Sequence, residues 1–258
     1  RLQSKDDIVI HSFEDEFSLL QKFYMDYMKT LPTIITGWNI DTFDIPYLYN
    51  RSCNIVGKNI ADCLSPIRTV YWNKHRKRYM IAGVSCLDYY SLYRLFTYTQ
   101  LSSYRLDAVA EHELGENKIE YTGTLNDLYE NNIDKFVEYN IHDVRLVKRL
   151  HDKLDFIDMA RGVCHVGHVP YEDVYFSSRY LEGAILVYLK KLGVVAPNKP
   201  PRPEKMDDGD KFAGAYVQPP QRGKHDWVFD LDITSMYPSV IMSLNISPET
   251  KMGKLKGW

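Results

Sequence analysis

The pattern of hydrophobic and polar positions predicts three amphipathic helices along the chain. At residues 12–31, large apolar side chains recur every three or four positions behind an acidic turn at residues 14–16, as on the buried face of a helix. The same spacing returns at residues 132–158 and again at about residues 177–192. Each segment is therefore predicted to be a helix that packs one face into a hydrophobic core.

Short runs rich in β-branched and aromatic residues predict strands between these helices. Residues 33–38 suit a buried strand, and Pro46 marks the first turn of the helix that follows it. Residues 67–72 and 78–84 flank the polar loop 73–77, which predicts a β-hairpin. The strand at residues 33–38 and the helix after it would form a strand-to-helix unit.

A stretch rich in proline and aspartate, at residues 196–211, predicts a linker before the last part of the chain. Beyond it, the apolar run at residues 228–233 predicts another strand, and residues 234–240 predict a turn or the start of a helix. The chain opens with Arg1 rather than Met, and we expect it to be a piece of a longer polypeptide.

Composition narrows the class of protein. A chain of 258 residues with 45% hydrophobic residues can bury a substantial core, which excludes disorder as the default. The 32 Lys and Arg residues are balanced by 34 Asp and Glu residues, so any contact with nucleic acid must be local. The 4 cysteines form no CxxC pair and predict reduced thiols. Neither a signal peptide nor a stretch of membrane-spanning length is evident in the sequence.

The segment DLDITSMYPSV, residues 230–240, carries the strongest chemical pattern. Asp232 ends an apolar strand, and small polar residues then turn into a helix. Such a segment can present a carboxylate, a carbonyl and several amide N–H groups to one metal-bound polyphosphate. The alternative is structural: Asp232 caps the turn and Tyr237 belongs to the core.

Two further acids stand where a carboxylate needs an explanation. Asp44 lies in GWNIDTFDIPYLYNR, residues 37–51, just before a helix start that contains a proline, where the sequence alone favours a helix cap. Asp143 follows Tyr139 by four residues on the apolar stripe of a predicted helix. There it would be a buried charge, compensated either by a metal ion or by an Arg or Lys.

These segments resemble motifs of family B DNA polymerases. DLDITSMYPSV resembles the first palm motif, and the NISPET run after it looks most like the replicative polymerases of T4-like bacteriophages. Residues 37–51 resemble the second exonuclease motif, Asn-x-x-x-Phe-Asp-x-Pro-Tyr, and YNIHD at residues 139–143 resembles the third, Tyr-x-x-x-Asp. The resemblance extends over nearly the whole chain.

The resemblance implies that the cofactor is Mg²⁺, with two ions in each active centre, and that Mn²⁺ can replace it. It also implies roles for individual residues. It implies catalytic roles for Asp44, Tyr139, Asp143 and Asp232, and metal ligation by Asp44, Asp143, Asp232 and the carbonyl of Ile233. It implies nucleotide binding by Ser235, Met236 and Tyr237, and DNA binding by Asn39, Phe43, Lys74, Arg76, Lys77, Arg78, Gly214 and Tyr216. Asp230, an additional acid, is assigned no metal role.

The resemblance also implies a domain organisation. We expect an α/β chain with a ribonuclease H-like 3′→5′ exonuclease domain at residues 1–158, its mixed sheet flanked by helices and its N-terminal strands missing. A return segment and proline-rich linker at residues 159–203 and the start of a palm domain at residues 204–258 would follow.

The resemblance implies that the whole protein is a replicative DNA-directed DNA polymerase with proofreading, which acts in the cytoplasm of an infected bacterial host. Its expected partners are primer–template DNA, deoxynucleoside triphosphates and a sliding clamp, with no membrane. The family supplies further acids from an Asp-x-Glu pair and an Asp-Thr-Asp motif, and neither occurs in this sequence. Because a two-metal site needs several acids, we expect the fragment to be inactive alone.

Two other functions remain open from the sequence. A stand-alone nuclease of related fold would have to draw its missing acids from Glu14 or Asp15. A noncatalytic DNA-binding module would use the basic loop at residues 74–78, otherwise a solvated loop, together with the aromatic residues at 89–98. A zinc site near Cys164 is not favoured, since no second ligand pair follows at suitable spacing.

Overall fold

The structure is a computed structural model that describes residues 8–116, 123–198, 214–247, 250 and 252–253. By its internal contacts the chain divides into two compact units, Arg1–Asn198 and Lys199–Trp258. Most of the predicted linker at residues 196–211 lies outside the described residues. Both helices and strands are present, so the predicted α/β class is confirmed.

The first unit contains most of the regular structure. Its helices are α1 (Glu16–Thr30), α2 (Asp44–Ile55), α3 (Lys58–Ala61), α4 (Tyr89–Phe96), α5 (Leu106–Leu114), α6 (Leu125–Asn131), α7 (Ile133–Leu154), α8 (Phe156–Gly167) and α9 (Ser177–Lys191). Its strands are β1 (Ile34–Gly37), β2 (Val70–Asn73), β3 (Arg78–Ile81) and β4 (Ser85–Asp88). Short 3₁₀ helices lie at Asp62–Leu64 and at Tyr171–Tyr175, and the second is called the 171–175 turn.

The amphipathic patterns at residues 12–31 and 177–192 correspond to α1 and α9, as predicted. The prediction for residues 132–158 is correct only in part. Helix α7 ends at Leu154 because Asp155 adopts the left-handed conformation, with φ of 55°, and α8 begins at Phe156. The apolar spacing continues across this break, so the pattern could not reveal it.

The described strands form two pairs. β1 and β4 are parallel, with Ile34 opposite Ser85 and Gly37 opposite Asp88. β2 and β3 are antiparallel, which confirms the predicted hairpin. Within the described residues, these strands are two separate two-stranded sheets and not one continuous mixed sheet.

Two clusters of buried side chains hold the first unit together. One cluster includes Leu87, Tyr89 and Leu92, all fully buried, and joins β4 and α4 to α5, α7 and α8. The other is centred on Tyr24 and Ala61 and packs α1, α2 and α3 against the hairpin and the β1–β4 pair. These clusters fix the ends of β1, α2 and α7 relative to one another.

In the second unit, helix α10 (Met236–Ser243) confirms the predicted helix start. The strand predicted at residues 228–233 is wrong for this structure. No described strand pairs with these residues, and Phe229 and Leu231 are 82% and 85% exposed. A run of β-forming residues becomes a strand only where a neighbouring strand accepts its backbone hydrogen bonds and a packed face covers its side chains.

Among the described residues, no helix combines the length and the apolar character needed to cross a membrane.

Candidate functional site

A large cleft in the first unit lies between the start of α2 and one face of α7, and is called the α2–α7 cleft. Its volume is about 1800 Å³, and its walls also include the end of β1 and the segment before α5. The cleft brings together the residues that the sequence predicted for an exonuclease site. They are Asn39, Phe43, Asp44, Tyr139 and Asp143.

Asp44 reaches the cleft because it is the first residue of α2. Phe43 occupies the capping position, and no side chain makes a capping hydrogen bond there. The structure therefore does not support the alternative in which Asp44 caps the helix. Partial burial in the cleft raises the pKa of the Asp44 carboxyl, and the hydrogen bond from its own backbone N–H opposes this shift.

Helix α7 presents Tyr139 and Asp143 on the same side, one turn apart. The helix is anchored by Leu146 and Leu150, which are 1% and 0% exposed. Asp143 is half-buried, and its Oδ1 atom is shielded from solvent. The carboxylate thus occupies the position that the apolar stripe predicted, on the border between core and cleft.

Phe43 and Tyr47 form an exposed aromatic pair beside Asp44. They lie one helical turn apart, with ring centroids 6.4 Å from each other and ring planes only 9° from parallel. The two side chains are 66% and 63% exposed and line the cleft. Flat, exposed rings of this kind can stack on nucleic-acid bases.

A buried acid that none of the sequence motifs contains supports the cleft. Asp88, at the end of β4, is 2% exposed and accepts hydrogen bonds from the backbone N–H groups of Asn39 and Tyr90 at 2.8 and 3.1 Å. Burial raises the pKa of its carboxyl to about 6, against the effect of these hydrogen bonds. A signal existed, because an acid directly after an apolar run and before a helical segment is a capping pattern.

The basic side chains of the hairpin loop are of two kinds, exposed lysines and arginines that form ion pairs. Lys74 and Lys77 are exposed. Arg76 is paired with Asp173, and Arg78, which is 6% exposed, is paired with Asp41. The charges of the two arginines are therefore compensated within the protein, which the sequence pattern could not indicate.

The predicted polymerase residues belong to the second unit. Asp232 is exposed and, among the described residues, makes no ion pair. Tyr237 is 71% exposed, so it is not a core residue here, and Ile233 is 65% exposed. The remaining predicted residues of this unit are likewise exposed: Gly214, Tyr216, Ser235 and Met236.

Helix α10 begins at Met236, after Ser235 in the left-handed conformation with φ of 48°. Its capping residue makes no side-chain hydrogen bond, and its first turn carries no acidic side chain. The first N–H groups of such a helix are available to an anionic ligand.

Acids elsewhere in the first unit have structural contacts. Asp15 caps α1 by accepting a hydrogen bond from the Ser18 N–H at 2.7 Å. Ligand atoms of His151, Asp155 and Asp158 lie within 4.8 Å of one another, but Asp158 is paired with Arg161. The capping contact gives Asp15, one of the two acids on which a stand-alone nuclease would depend, a structural role.

Comparison with known proteins agrees with the motifs. The family description "DNA polymerase family B, exonuclease domain" matches residues 2–109. The description "DNA polymerase family B" matches residues 174–256. The two matches together account for the greater part of the chain, in the order in which the exonuclease and palm motifs occur.

Relatives of known function align with almost the whole chain. It is 35% identical over 257 residues to a DNA-directed DNA polymerase of Escherichia phage RB69, and 33% identical over 259 residues to that of Enterobacteria phage T4. Each alignment covers 97% of this chain and 28% of the relative, so the chain spans under a third of their length. A DNA polymerase of Archaeoglobus fulgidus is 30% identical over 269 residues, covering 95% of this chain and 32% of the relative. The two family matches together place the chain in DNA polymerase family B, and the three relatives are named as DNA polymerases.

Proposed function

We propose that this chain carries the core of a 3′→5′ proofreading exonuclease, of ribonuclease H-like fold, and the first palm segment of a replicative DNA-directed DNA polymerase. The observation that carries the exonuclease part is the convergence of Asn39, Asp44, Tyr139 and Asp143 on the α2–α7 cleft. Asn39 lies in the loop after β1 and Asp44 begins α2, whereas Tyr139 and Asp143 lie on α7, about 95 residues further along the chain; all four are residues matched by the two exonuclease motifs.

The donor set of the cleft fits a hard divalent cation. Carboxylate oxygens are the ligands that Mg²⁺ prefers, and Mn²⁺ accepts the same donors. Asp44 and Asp143 would hold the ion, and a cation would compensate the partial burial that raises the pKa of Asp44. When bound, metal ions of this class activate water and stabilise the leaving oxygen of a phosphodiester.

The protein residues of the cleft would orient the DNA end. Phe43 and Tyr47 would stack on the last bases of a single strand, and Asn39 would contact the strand from the end of β1. The Tyr139 hydroxyl would orient the attacking water, while the Asp143 carboxylate is held one turn away on the same helix. The cleft would thus fix the scissile phosphate between α2 and α7.

For polymerisation, the second unit supplies a carboxylate and a helix start. Asp232 and the Ile233 carbonyl would hold magnesium, and the backbone N–H groups of Ser235 and Met236 would bind the triphosphate of a deoxynucleotide. Tyr237, which is exposed, would pack under the sugar and exclude ribonucleotides.

The proposed partners follow from this function. The substrates would be primer–template DNA and deoxynucleoside triphosphates, and the intact enzyme would be held on DNA by a sliding clamp. The sequence identity of 35% and 33% to two phage polymerases supports the proposal that the enzyme acts in the cytoplasm of an infected bacterial host.

The proposal is tested by separating the two activities in the full-length polymerase. We expect Asp44→Ala to reduce excision of a mispaired 3′ end by at least about 100-fold and to leave primer extension unchanged. We expect Asp232→Ala to do the reverse. The measurements are single-turnover excision and extension rates on the same labelled primer–template.

Asp230→Ala is the matched control for the second unit, because Asp230 is an exposed acid two residues from Asp232 with no proposed ligand role. It should retain extension within a few-fold of the unaltered enzyme. Equal loss of both activities in folded Asp44→Ala and Asp232→Ala proteins would contradict the proposal.

A further inference from the structure

A buried cluster of charged side chains lies outside the lining of the α2–α7 cleft and has no role in the proposed chemistry. Arg78 of β3 and Glu172 of the 171–175 turn are each 6% exposed. The Asp41 side chain, in the loop between β1 and α2, is 14% exposed. These three groups come from distant parts of the chain and meet inside the first unit.

Arg78 connects the two acids. Its Nη1 atom donates a hydrogen bond to Asp41 Oδ2, and its Nη2 atom lies 3.5 Å from Glu172 Oε2. The other oxygen of Glu172 accepts a hydrogen bond from the Cys86 backbone N–H at 2.9 Å, which holds the carboxylate against β4. A planar guanidinium can bridge two carboxylates in a fixed geometry, whereas a lysine ammonium cannot reproduce that arrangement.

The cluster reaches the cleft through the loop that precedes Asp44. Asp41 is three residues before Asp44, and the opposite end of the loop is held by the hydrogen bond from the Asn39 N–H to Asp88. Since α2 has no side-chain cap at Phe43, its first turn is positioned by these tertiary contacts and by the burial of Ile45, which is 5% exposed. Breaking the ion pair between Asp41 and Arg78 would remove one of the two polar contacts that hold this loop.

Stability alone does not account for this arrangement. Taking charged groups out of water costs free energy that their attraction only partly returns, so a buried ion pair is weak evidence of a stabilising role. What the cluster provides is a fixed distance between β3, the 171–175 turn and the loop that leads to Asp44.

We infer that Arg78 is a positioning residue for Asp44, acting through Asp41, and that it does not contact the DNA. This inference rests on the proposed exonuclease function of the cleft. It differs from the role that the resemblance to the family implied for Arg78, which was DNA binding, because the guanidinium is buried and engaged on both sides.

The test compares, in the full-length polymerase, Asp→Asn substitutions of the acids that pair with Arg78 and with its neighbour Arg76. Asp41→Asn removes the carboxylate on the loop before Asp44. Asp173→Asn is the matched control, because Asp173 pairs with Arg76 and its carboxylate makes no described contact with that loop. Arg78→Lys keeps the positive charge but loses the bridge between the two acids.

We expect Asp41→Asn and Arg78→Lys to lower kcat for excision of single-stranded DNA about 10- to 100-fold, the usual cost of a misplaced catalytic group. The Mg²⁺ concentration for half-maximal excision should rise several-fold, while KM for DNA and the rate of primer extension stay unchanged. Asp173→Asn should match the unaltered enzyme in all four quantities.

The outcomes separate this inference from the function on which it rests. Asp41→Asn behaving like Asp173→Asn, or Arg78→Lys raising KM with kcat unchanged, would overturn the positioning role. If Arg78→Lys also loses extension through misfolding, Asp41→Asn decides the question. Retention of excision in Asp44→Ala would instead overturn the proposed exonuclease site itself.

Discussion

At the scale of single residues, Asp88 shows how a buried carboxylate can organise a site without entering it. Its Oδ1 atom accepts hydrogen bonds from two backbone N–H groups, and its Oδ2 atom accepts one from the Ser91 hydroxyl at 3.3 Å. These contacts join the end of β4 to Asn39 and to the first turn of α4. Burial nevertheless disfavours the charged form and raises the pKa of the carboxyl to about 6.

We predict that Asp88 contributes to the pH dependence of stability and that Asp88→Asn removes this contribution. The pKa of Asp88 is about 6 in the folded state, against about 3.9 for a free aspartate, so the folded state binds its proton more tightly. The free energy of unfolding should therefore fall as pH rises from about 4 to about 6, by up to about 3 kcal/mol from this group. Denaturant unfolding of both proteins at several pH values in this window gives the difference.

The asparagine keeps an oxygen for the two backbone donors and cannot ionise. The free energy of unfolding of the unaltered protein minus that of the variant therefore isolates the titration of Asp88 from that of other acids. A difference between the two proteins that is the same at pH 4 and pH 6.5 would show that the carboxyl does not titrate in this window.

At the scale of elements, α8 and α9 approach each other closely because glycines stand at their contact. A Cβ atom on Gly183 would lie 2.9 Å from Val169 Cγ1 and inside the van der Waals radius of the Gly167 carbonyl oxygen. A Cβ atom on Gly167 would lie 2.9 Å from the Tyr180 Cα atom. The close contact therefore has no room for a methyl group on either helix.

We predict opposite effects of two Gly→Ala substitutions in this helix pair. Gly183→Ala should destabilise the protein by about 1–3 kcal/mol, because α9 must move away from α8. Gly162→Ala, on α8, should stabilise it by about 0.5–1 kcal/mol, since its Cβ would meet nothing within 4 Å and alanine restricts the unfolded chain. Equilibrium unfolding in urea measures both changes, and a stabilising Gly183→Ala would contradict the close packing.

At the scale of the whole molecule, the buried side chains are confined to one part of the chain. Both hydrophobic clusters lie within the first unit. Among the described residues of the second unit, none is buried. The apolar burial that drives cooperative folding therefore belongs to residues before Lys199.

We predict that residues 1–198 expressed alone unfold cooperatively, with a free energy of unfolding within about 0.5 kcal/mol of that of the whole chain. The physical reason is that the truncation removes no described residue of either cluster. Urea unfolding followed by tryptophan fluorescence provides the comparison, because Trp38 and Trp72 lie in this unit. Loss of the cooperative transition would show that the second unit contributes to the core.

The residues of the proposed exonuclease site could be named from the sequence, but the residues that support them could not. Asp44 and Asp143 stand out because each is an acid in a place where local structure predicts an apolar or capping residue. Asp41, Arg78 and Glu172 carry no such local signal, since an acid in a loop and an arginine in a hairpin are ordinary surface residues. Their burial results from contacts between β3, the β1–α2 loop and the 171–175 turn.

The sequence by itself determined the family of this protein and part of its local structure. Helical spacing, the turn at the hairpin and three acid-bearing motifs are short-range properties, and they indicated α1, α9, the β2–β3 pair and the family. Only the tertiary structure decided that α7 stops at Leu154, that residues 228–233 have no described strand partner, and that Arg78 is buried. Each of these features depends on which distant groups accept or donate the backbone hydrogen bonds or balance a charge. The spacing of residues along the chain does not contain that information.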